Sequence, residues 1–211
     1  MNMLLSSAYL APTQYYTKLL QCTGGTAYIE ACDNYIKQTY RNRCMIVDAN
    51  GPLALTIPTE KPSEEKCLMR DIRISDHGNW RHRHWNALEA AYRHTPFFLY
   101  YEDDFRPFYE KRHEFLYDFN MELTQLVCQL IGIDTRLEPT TDYGGEGAAT
   151  DFRESIHPKL SWQTDATFTP AEYYQVFKEK HGFIPNMSIA DLLFNMGPES
   201  ILTLHESYSR R

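Results

Sequence analysis

The order of the first three predicted elements constrains the fold more strongly than any other feature of the sequence. The pattern predicts a strand over residues 3–10, a helix over 13–22 and a second strand over 26–32. Two strands joined through a helix form a parallel pair, which indicates an α/β sheet. Ligands of such sheets bind at the loops that follow the strands. In the first of these loops, the residues expected to contact a ligand are Tyr9, Pro12 and Tyr16.

The remaining elements complete a single α/β domain over residues 1–211. Two apolar runs at 43–47 and 53–58 flank an Asn-Gly step at 50–51, which is typical of a β-hairpin. Apolar residues repeat at helical spacing over 113–131, so the C-terminal half is predicted to be mostly helical. Other predicted elements are helices at 80–94, 171–182, 188–196 and 198–208, a half-exposed strand at 69–75, a charged loop at 59–67 and a buried aromatic run at 97–101.

The start of the predicted helix at 188–196 carries a capping signal. Ser188 is a residue type that caps helices, and Asp191 occupies the position of the acidic residue in a capping box. We therefore expect Asp191 to cap this helix rather than to act in catalysis.

Charge and cysteine content exclude several classes of protein. The net charge is −7 and no basic run is longer than the segment at 81–84, so we expect no nucleic-acid partner. The five cysteines are odd in number and include no C-x-x-C pair, which argues against a disulfide framework or a zinc ribbon. The sequence shows no signal-peptide pattern and no segment long enough for a membrane span, so the expected location is the cytoplasm.

The sequence predicts neither a cofactor nor a metal. The glycine-rich stretch at 144–147 matches neither the phosphate-loop nor the dinucleotide-binding pattern, and we interpret it as a flexible link. His77, His82 and His84 with Asp76 offer metal donors. However, His82 and His84 are two positions apart and diverge on a helix, a geometry that suits a metal poorly.

The segment NWRHRHWNALEAAY at 79–92 places several reactive side chains at the start of a predicted helix. At helical spacing His84 shares a face with core-forming residues, while Arg81 and Arg83 lie on its flanks. Burial and positive neighbours both lower the pKa of an imidazole, which keeps it neutral and able to act as a general base. The alternative is a half-buried histidine that bonds to a backbone carbonyl and serves packing alone.

Four arginines are candidate ligands of an anion. Arg41 and Arg43 alternate along one predicted strand, which would place both on the same face. Arg81 and Arg83 lie at a helix start, where free backbone N–H groups also favour anions. Arginine matches phosphate oxygens two at a time, and Trp80 adds an aromatic surface for a ring. The alternative is that these arginines are surface residues or form ion pairs.

Five segments that thread the chain from end to end carry a family resemblance. They are YLAPTQYY at 9–16, TYRNR at 39–43, LTIPT at 55–59, WRHRHW at 80–85 with Tyr92 and Pro96, and YYQVF with FIPNMSIADLLFNMGPES at 173–200. Together they resemble the WbqC-like family of bacterial proteins, and the last segment is the most specific. The chain departs from the family where many members have His-Gln-Pro before the tyrosine that matches Tyr9, because here that stretch is LSSA at 5–8.

The resemblance implies an association with the synthesis of bacterial surface polysaccharides of the O-antigen type. Members have been suggested to act on nucleotide-linked amino sugars, as acyl or aminoacyl transferases, so the implied partner is a small nucleotide-sugar substrate. In that interpretation His84 takes a proton from the sugar amine, and Tyr9 or Tyr16 donates to the oxyanion. Asp151 would orient a histidine or bind an amine.

Two classes of function stay open from the sequence. The first is a transferase of glycan-precursor synthesis, and the second is a non-catalytic binding or assembly protein for a glycan intermediate or a biosynthetic enzyme. The transferase interpretation predicts one cleft lined by Tyr9, Arg41, Arg43 and His84. The assembly interpretation predicts that these residues are dispersed and that apolar surface is exposed instead.

Overall fold

The computed structural model describes residues 2–61, 66–144 and 149–208 of the chain. Two sequence predictions, the charged loop at 59–67 and the glycine-rich link at 144–147, lie partly outside these ranges. No helix within the described ranges is both long enough and apolar enough to cross a membrane.

The described residues form six strands and seven α-helices. The strands are β1 (Met3–Ser6), β2 (Thr26–Glu30), β3 (Arg43–Asp48), β4 (Gly51–Thr56), β5 (Arg136–Pro139) and β6 (Thr150–Asp151). The helices are α1 (Thr13–Gln21), α2 (Trp80–Tyr92), α3 (Phe98–Glu110), α4 (Leu116–Ile131), α5 (Lys178–His181), α6 (Ile189–Met196) and α7 (Ser200–Glu206). Most helices follow β4 in the chain, so the predicted mixed α/β fold with a largely helical C-terminal half is confirmed.

Strands β1, β2, β5 and β6 form one parallel sheet in the spatial order β5-β2-β1-β6. Helix α1 connects β1 to β2, which confirms the predicted strand–helix–strand opening. β1 is shorter than predicted because the chain leaves the sheet after Ser6, and the Tyr9 N–H bonds to the Tyr40 carbonyl at 2.8 Å. The carboxyl ends of the parallel strands therefore lie at one edge of the sheet.

Strands β3 and β4 form a separate antiparallel hairpin, as the Asn-Gly step predicts. Gly51 has a φ of +110°, a backbone conformation that glycine adopts at no steric cost. At the open end of the hairpin Arg43 pairs with Thr56. The hairpin packs through β3 against α2 and α6, so helices rather than the main sheet hold it in place.

Helix α4 has the apolar stripe that the sequence predicts. It buries Leu116, Phe119, Leu123 and Val127 and ends at Gly132, which has a φ of +83°. The left-handed conformation at this position is the usual helix stop for glycine. Burial of a stripe of this size supplies much of the hydrophobic stabilisation of the core.

Two predicted elements between the hairpin and α4 are wrong in detail. Residues 69–75 are not a strand, because the Met69 and Arg70 N–H groups bond to carbonyls of the loop after β2, and Met69–Asp71 forms a 3-10 turn. The run at 97–101 is not buried throughout, because it begins α3 and helical spacing turns two consecutive residues outward. Leu99 is 62 % and Tyr100 is 74 % exposed, whereas their neighbours in α3 are buried.

The predicted helix over 171–182 is limited to α5, because tertiary contacts override helix propensity before Lys178. The Tyr173 hydroxyl and the Gln175 amide both donate to Asp191 Oδ2, at 2.7 Å and 2.8 Å. Side chains two positions apart reach the same carboxylate only from an extended backbone.

The same contacts change the role expected for Asp191. Ser188 caps α6 as predicted, since its side chain accepts the Ala190 N–H at 3.2 Å. The capping-box prediction for Asp191 is wrong, because its carboxylate accepts from Tyr92 at 2.9 Å and from the 171–182 segment. Burial raises the pKa of this carboxyl group. Asp191, which lies on α6, therefore links this helix through hydrogen bonds to α2 and to the segment before α5.

Candidate functional site

Four of the ten candidate site residues from the sequence line two clefts, Arg41 in one and Trp80, Arg83 and His84 in the other, and these clefts share none of their lining residues. The sheet-edge cleft lies between the carboxyl ends of β1 and β6 and has a cavity volume of about 10 Å³, which is room for about one water molecule. Its polar lining is Ser6, Ser7, Thr39, Tyr40, Arg41 and Arg153. The hairpin groove lies between β4 and the start of α2 and has a much larger cavity volume of about 420 Å³. It is lined in part by Leu55, Thr56, His77, Trp80, Arg83 and His84.

Arg41 lies in the wall of the sheet-edge cleft and is only 5 % exposed. Its Nη2 donates to Asp33 Oδ2 and, at 3.1 Å, to Ser6 Oγ. Burial raises the pKa of Asp33, and the Arg41 guanidinium opposes that shift. The prediction that Arg41 and Arg43 share one face of a strand is wrong, because Arg41 lies in a turn before β3.

Arg153, which the sequence analysis missed, lies in the same cleft and pairs with two carboxylates. Its Nη1 donates to the fully buried Glu30 at 2.7 Å, and its Nη2 donates to Asp151 at 2.8 Å. Hydrogen bonds from Arg153 lower the pKa of Asp151, so this residue is a paired carboxylate at neutral pH. The only sequence signal for this pair was position, because Glu30 ends β2 and Arg153 lies two residues after the end of β6.

Three buried polar atoms beside the sheet-edge cleft have no hydrogen-bond partner among the described residues. They are Asp33 Oδ1, Arg41 Nε and Asn120 Oδ1. The Asn120 amide nitrogen is satisfied, since it donates to Ser7 Oγ at 3.0 Å and to the Arg41 carbonyl at 2.8 Å. A buried polar atom without a hydrogen-bond partner lowers the stability of the fold, so each of these atoms requires a hydrogen bond with a ligand or a water molecule.

The hairpin groove has a different electrostatic character. Arg83 is exposed on the first turn of α2, and within the described residues it forms no ion pair. Among the residues that the structure describes, no carboxylate lines the groove, and the first turn of α2 has no acidic residue. Asn79 precedes the helix in a left-handed conformation and makes no capping bond with its side chain. The Asn79 side chain therefore does not compete with an anion for the N–H groups of this helix start.

Trp80 forms an aromatic wall of the hairpin groove. It is 4 % exposed, and its ring meets that of His84 edge-on at 5.1 Å between centroids. The Trp80 Nε1–H has no acceptor among the described residues. A buried indole normally finds a hydrogen-bond partner, so this donor is a second indication of a ligand in the groove.

His84 contributes to the wall of the groove but is only 5 % exposed. Its Nδ1 lies 3.0 Å from the Tyr9 hydroxyl, which lies 2.9 Å from the Tyr109 hydroxyl. The imidazole also forms a hydrogen bond with the Thr56 backbone. Burial lowers the pKa of His84 to about 4, so the ring is neutral at physiological pH. Tyr109 was not identified from the sequence, since it lies 100 positions from Tyr9.

The other predicted site residues lie outside the two linings. Arg81 pairs with Asp76 at 2.5 Å, and Arg43 donates from Nε to the Thr56 side chain at 3.0 Å. Tyr16 is 1 % exposed in the core and Pro12 is buried beside α6. Neither the sheet-edge cleft nor the hairpin groove is lined by any of these residues.

The residues that the transferase interpretation places in one cleft are thus divided. Arg41 lines the sheet-edge cleft and His84 lines the hairpin groove, while the Tyr9 side chain is buried next to His84. Apolar side chains such as Leu99 and Tyr100 are exposed at the surface. Within the described residues, no group of three or more His, Cys, Asp or Glu side chains is arranged to hold a metal ion.

Comparison with known proteins identifies the family of this chain. An uncharacterised protein of Mycobacterium tuberculosis, Rv1507c, is 30 % identical over 189 residues, which cover 79 % of this chain and 81 % of that protein. No solved structure is significantly similar. The model of the WbqC-like protein family matches residues 7–167. Because this match spans most of the chain and both clefts, the protein belongs to the WbqC-like family.

Proposed function

We propose that this protein binds a nucleotide-linked amino sugar in the hairpin groove, as part of cytoplasmic precursor synthesis for bacterial surface polysaccharide. The observation that carries the proposal is that Arg83, within the described part of the chain, forms no ion pair and lies in a groove with no carboxylate in its lining. The unpartnered Trp80 Nε1–H supports it. On a protein with a net charge of −7, such a groove is a local site for an anion.

The groove offers a different surface to each part of this ligand. A diphosphate would meet the Arg83 guanidinium and the N–H groups at the start of α2. Leu53 and Leu55 of β4 give an apolar wall opposite Trp80, against which a sugar or base can pack. The cavity volume of the groove, about 420 Å³, lies in the range of roughly 300–1,000 Å³ that small-molecule sites occupy.

Calorimetric titration with a panel of nucleotide-linked amino sugars tests the proposal. Arg83→Gln should weaken binding by roughly tenfold or more, because a charge-assisted hydrogen bond to phosphate is lost. Arg93→Gln is the matched control, since Arg93 lies near the end of the same helix and pairs with Glu89 on the surface. Equal affinity of the Arg83 variant and the wild type would refute the diphosphate site.

Acyl transfer to the bound sugar amine is a second candidate function, and the neutral His84 imidazole in the groove wall favours it. In this reaction the sugar nitrogen would attack the carbonyl of an acyl thioester and the C–S bond would break. The amine proton would pass through His84, once its hydrogen bond to Tyr9 or to the Thr56 backbone opens, to the departing thiolate. Mass spectrometry of the nucleotide sugar after incubation with acyl thioester donors should show the mass of one acyl group, with no product from His84→Asn. Tight binding without any product in the wild type would instead support a non-catalytic binding or assembly protein.

A further inference from the structure

We propose that a third cavity, the α7 pocket, is a binding site for a small organic amine that carries an ammonium group on an apolar body. The pocket lies between the ends of α1 and α4 and one side of α7. Its lining includes Leu20, Asp134, Ile201, His205 and Tyr208. The inference is independent of the proposed nucleotide-sugar site, because the α7 pocket shares no lining residue with the hairpin groove.

The α7 pocket is large enough for a small molecule. Its cavity volume is about 440 Å³, against about 420 Å³ in the hairpin groove and about 10 Å³ in the sheet-edge cleft. Small-molecule sites occupy roughly 300–1,000 Å³. The pocket therefore has room for a ligand, and the chemistry of its wall determines which class of ligand it selects.

The apolar part of the wall comes from both sides of the pocket. Leu20 lies in the last turn of α1, and Ile201 lies in the first turn of α7 and is only partly buried. Tyr208, which follows α7, adds an aromatic residue. An apolar ligand body would cover these side chains and remove apolar surface from water, which favours binding.

The charged side chain in the wall favours a cation. Asp134 is exposed, and within the described residues its carboxylate forms neither an ion pair nor a hydrogen bond. Arg136, the nearest arginine in the sequence, pairs with Glu138 instead, and Lys18 of α1 pairs with Asp165. Asp134 is therefore a carboxylate that the described part of the fold leaves without a counter-ion.

Two helix ends add to the negative potential of the pocket. α1 ends at Gln21 and α4 ends one residue before Gly132, and both of these residues belong to the lining. The carbonyl end of a helix carries a partial negative charge that attracts cations. Gln21 Nε2 is a buried donor without an acceptor among the described residues, but a water molecule satisfies it as well as a ligand does, so this atom does not select the ligand.

Apolar wall and negative potential together select the class of ligand. The ammonium group of an amine would lie at Asp134, and its body would pack against Leu20, Ile201 and Tyr208. A phosphate or a carboxylate of the same size would meet a charge of its own sign at Asp134 and at both helix ends. A cation without an apolar body would leave the apolar wall in contact with water.

Thermal unfolding of the full chain at pH 8 tests the proposal with phenethylamine and tryptamine as probes. At this pH alkylamines are ordinarily protonated and imidazoles are neutral. At about ten times the dissociation constant, a ligand of the folded state should raise the melting temperature by roughly 3–6 °C. 3-Phenylpropionate has a similar body with the opposite charge, and methylammonium has the charge without the body, so neither should do so at the same concentration. No shift with either amine, or an equal shift with either control, would overturn the inference.

Single substitutions assign the response to the α7 pocket. Asp134→Asn keeps the size of an exposed side chain, so the variant should fold normally and should bind both amines several-fold more weakly. Asp103→Asn is the matched control, since Asp103 is an exposed acid on α3 outside the lining of the pocket. Arg83→Gln, which tests the nucleotide-sugar site, should leave the amine response unchanged. An Asp134 variant with the amine affinity of the wild type would contradict the assignment, whatever is found for nucleotide sugars.

Discussion

The sheet-edge cleft and the hairpin groove contain the same kind of cation in opposite surroundings. In the cleft, Arg41 is buried and Arg153 is half-buried, and both form ion pairs with carboxylates. In the groove, Arg83 is exposed and forms no ion pair within the described residues. The difference shows that an arginine becomes available to an anionic ligand only where the fold has not already neutralised it. The type and spacing of the residue do not decide this.

The arginines of the two clefts also differ in what they contribute to the free energy of folding. A buried ion pair is expensive to form, and removal of one partner leaves an uncompensated charge in a poorly solvated place. An exposed, unpaired arginine contributes little to folding, so its removal affects ligand binding alone. The cleft should therefore respond to substitution through stability and the groove through affinity.

The largest effect is expected from Arg41→Met. This variant leaves Asp33 buried without its counter-ion, and it should lower the free energy of unfolding by about 3–5 kcal/mol. Urea denaturation measures the change, with Arg83→Met as the control at about 0.5 kcal/mol or less. Similar losses in both variants would break the comparison between the two clefts.

A second expected effect concerns the pH dependence that His84 confers. Its pKa falls from 6.5 to about 4 on folding, so the folded state binds fewer protons than the unfolded state in this window. The stability present above pH 6.5 should decline as the pH falls towards 4, by about 3 kcal/mol from this residue.

Denaturation of the wild type and His84→Asn between pH 8 and pH 4 checks this prediction. The variant should have a flatter pH profile, whereas His82→Asn, on the exposed side of the same helix, should retain the wild-type profile. Parallel profiles for the His84 variant and the wild type would show that the imidazole titrates normally.

The smallest effect is expected from Tyr109→Phe. This variant tests whether the buried hydrogen bonds behind the hairpin groove contribute to stability, in contrast to the exposed side chains at its opening. The variant removes one hydroxyl from the Tyr9–Tyr109 hydrogen bond, at a cost of about 1 kcal/mol. Tyr100→Phe, at a residue 74 % exposed, is the control and should be neutral within error. A neutral Tyr109 variant would mean that this hydrogen bond does not support the wall.

The parts of the fold that depend on local pattern are predictable from the sequence. The β1–α1–β2 unit, the hairpin at Gly51 and the stop of α4 at Gly132 follow from periodicity and turn chemistry. The segment around Tyr173 does not, because a distant carboxylate at Asp191 determines its extended backbone. Tertiary contacts of this kind override propensity and leave no local signal.

The sites were less predictable than the fold for the same reason. Trp80 and Arg83 were recognised at a helix start, where the chemistry is local. The pairing of Arg41, and the existence of an Arg153–Glu30 pair separated by 123 positions, depend on how the sheet assembles. Sequence spacing therefore identified candidate arginines, but it did not show which of them form ion pairs with carboxylates of the same protein.

Tyr9 lies between the sheet-edge cleft and the hairpin groove and is hydrogen-bonded towards both of them. Its N–H is bonded to Tyr40 in the sheet-edge cleft, and its hydroxyl is bonded to His84 behind the hairpin groove. Because this one residue is hydrogen-bonded on both sides, a substitution in the wall of the sheet-edge cleft that moves Tyr9 is expected to change ligand affinity in the hairpin groove as well.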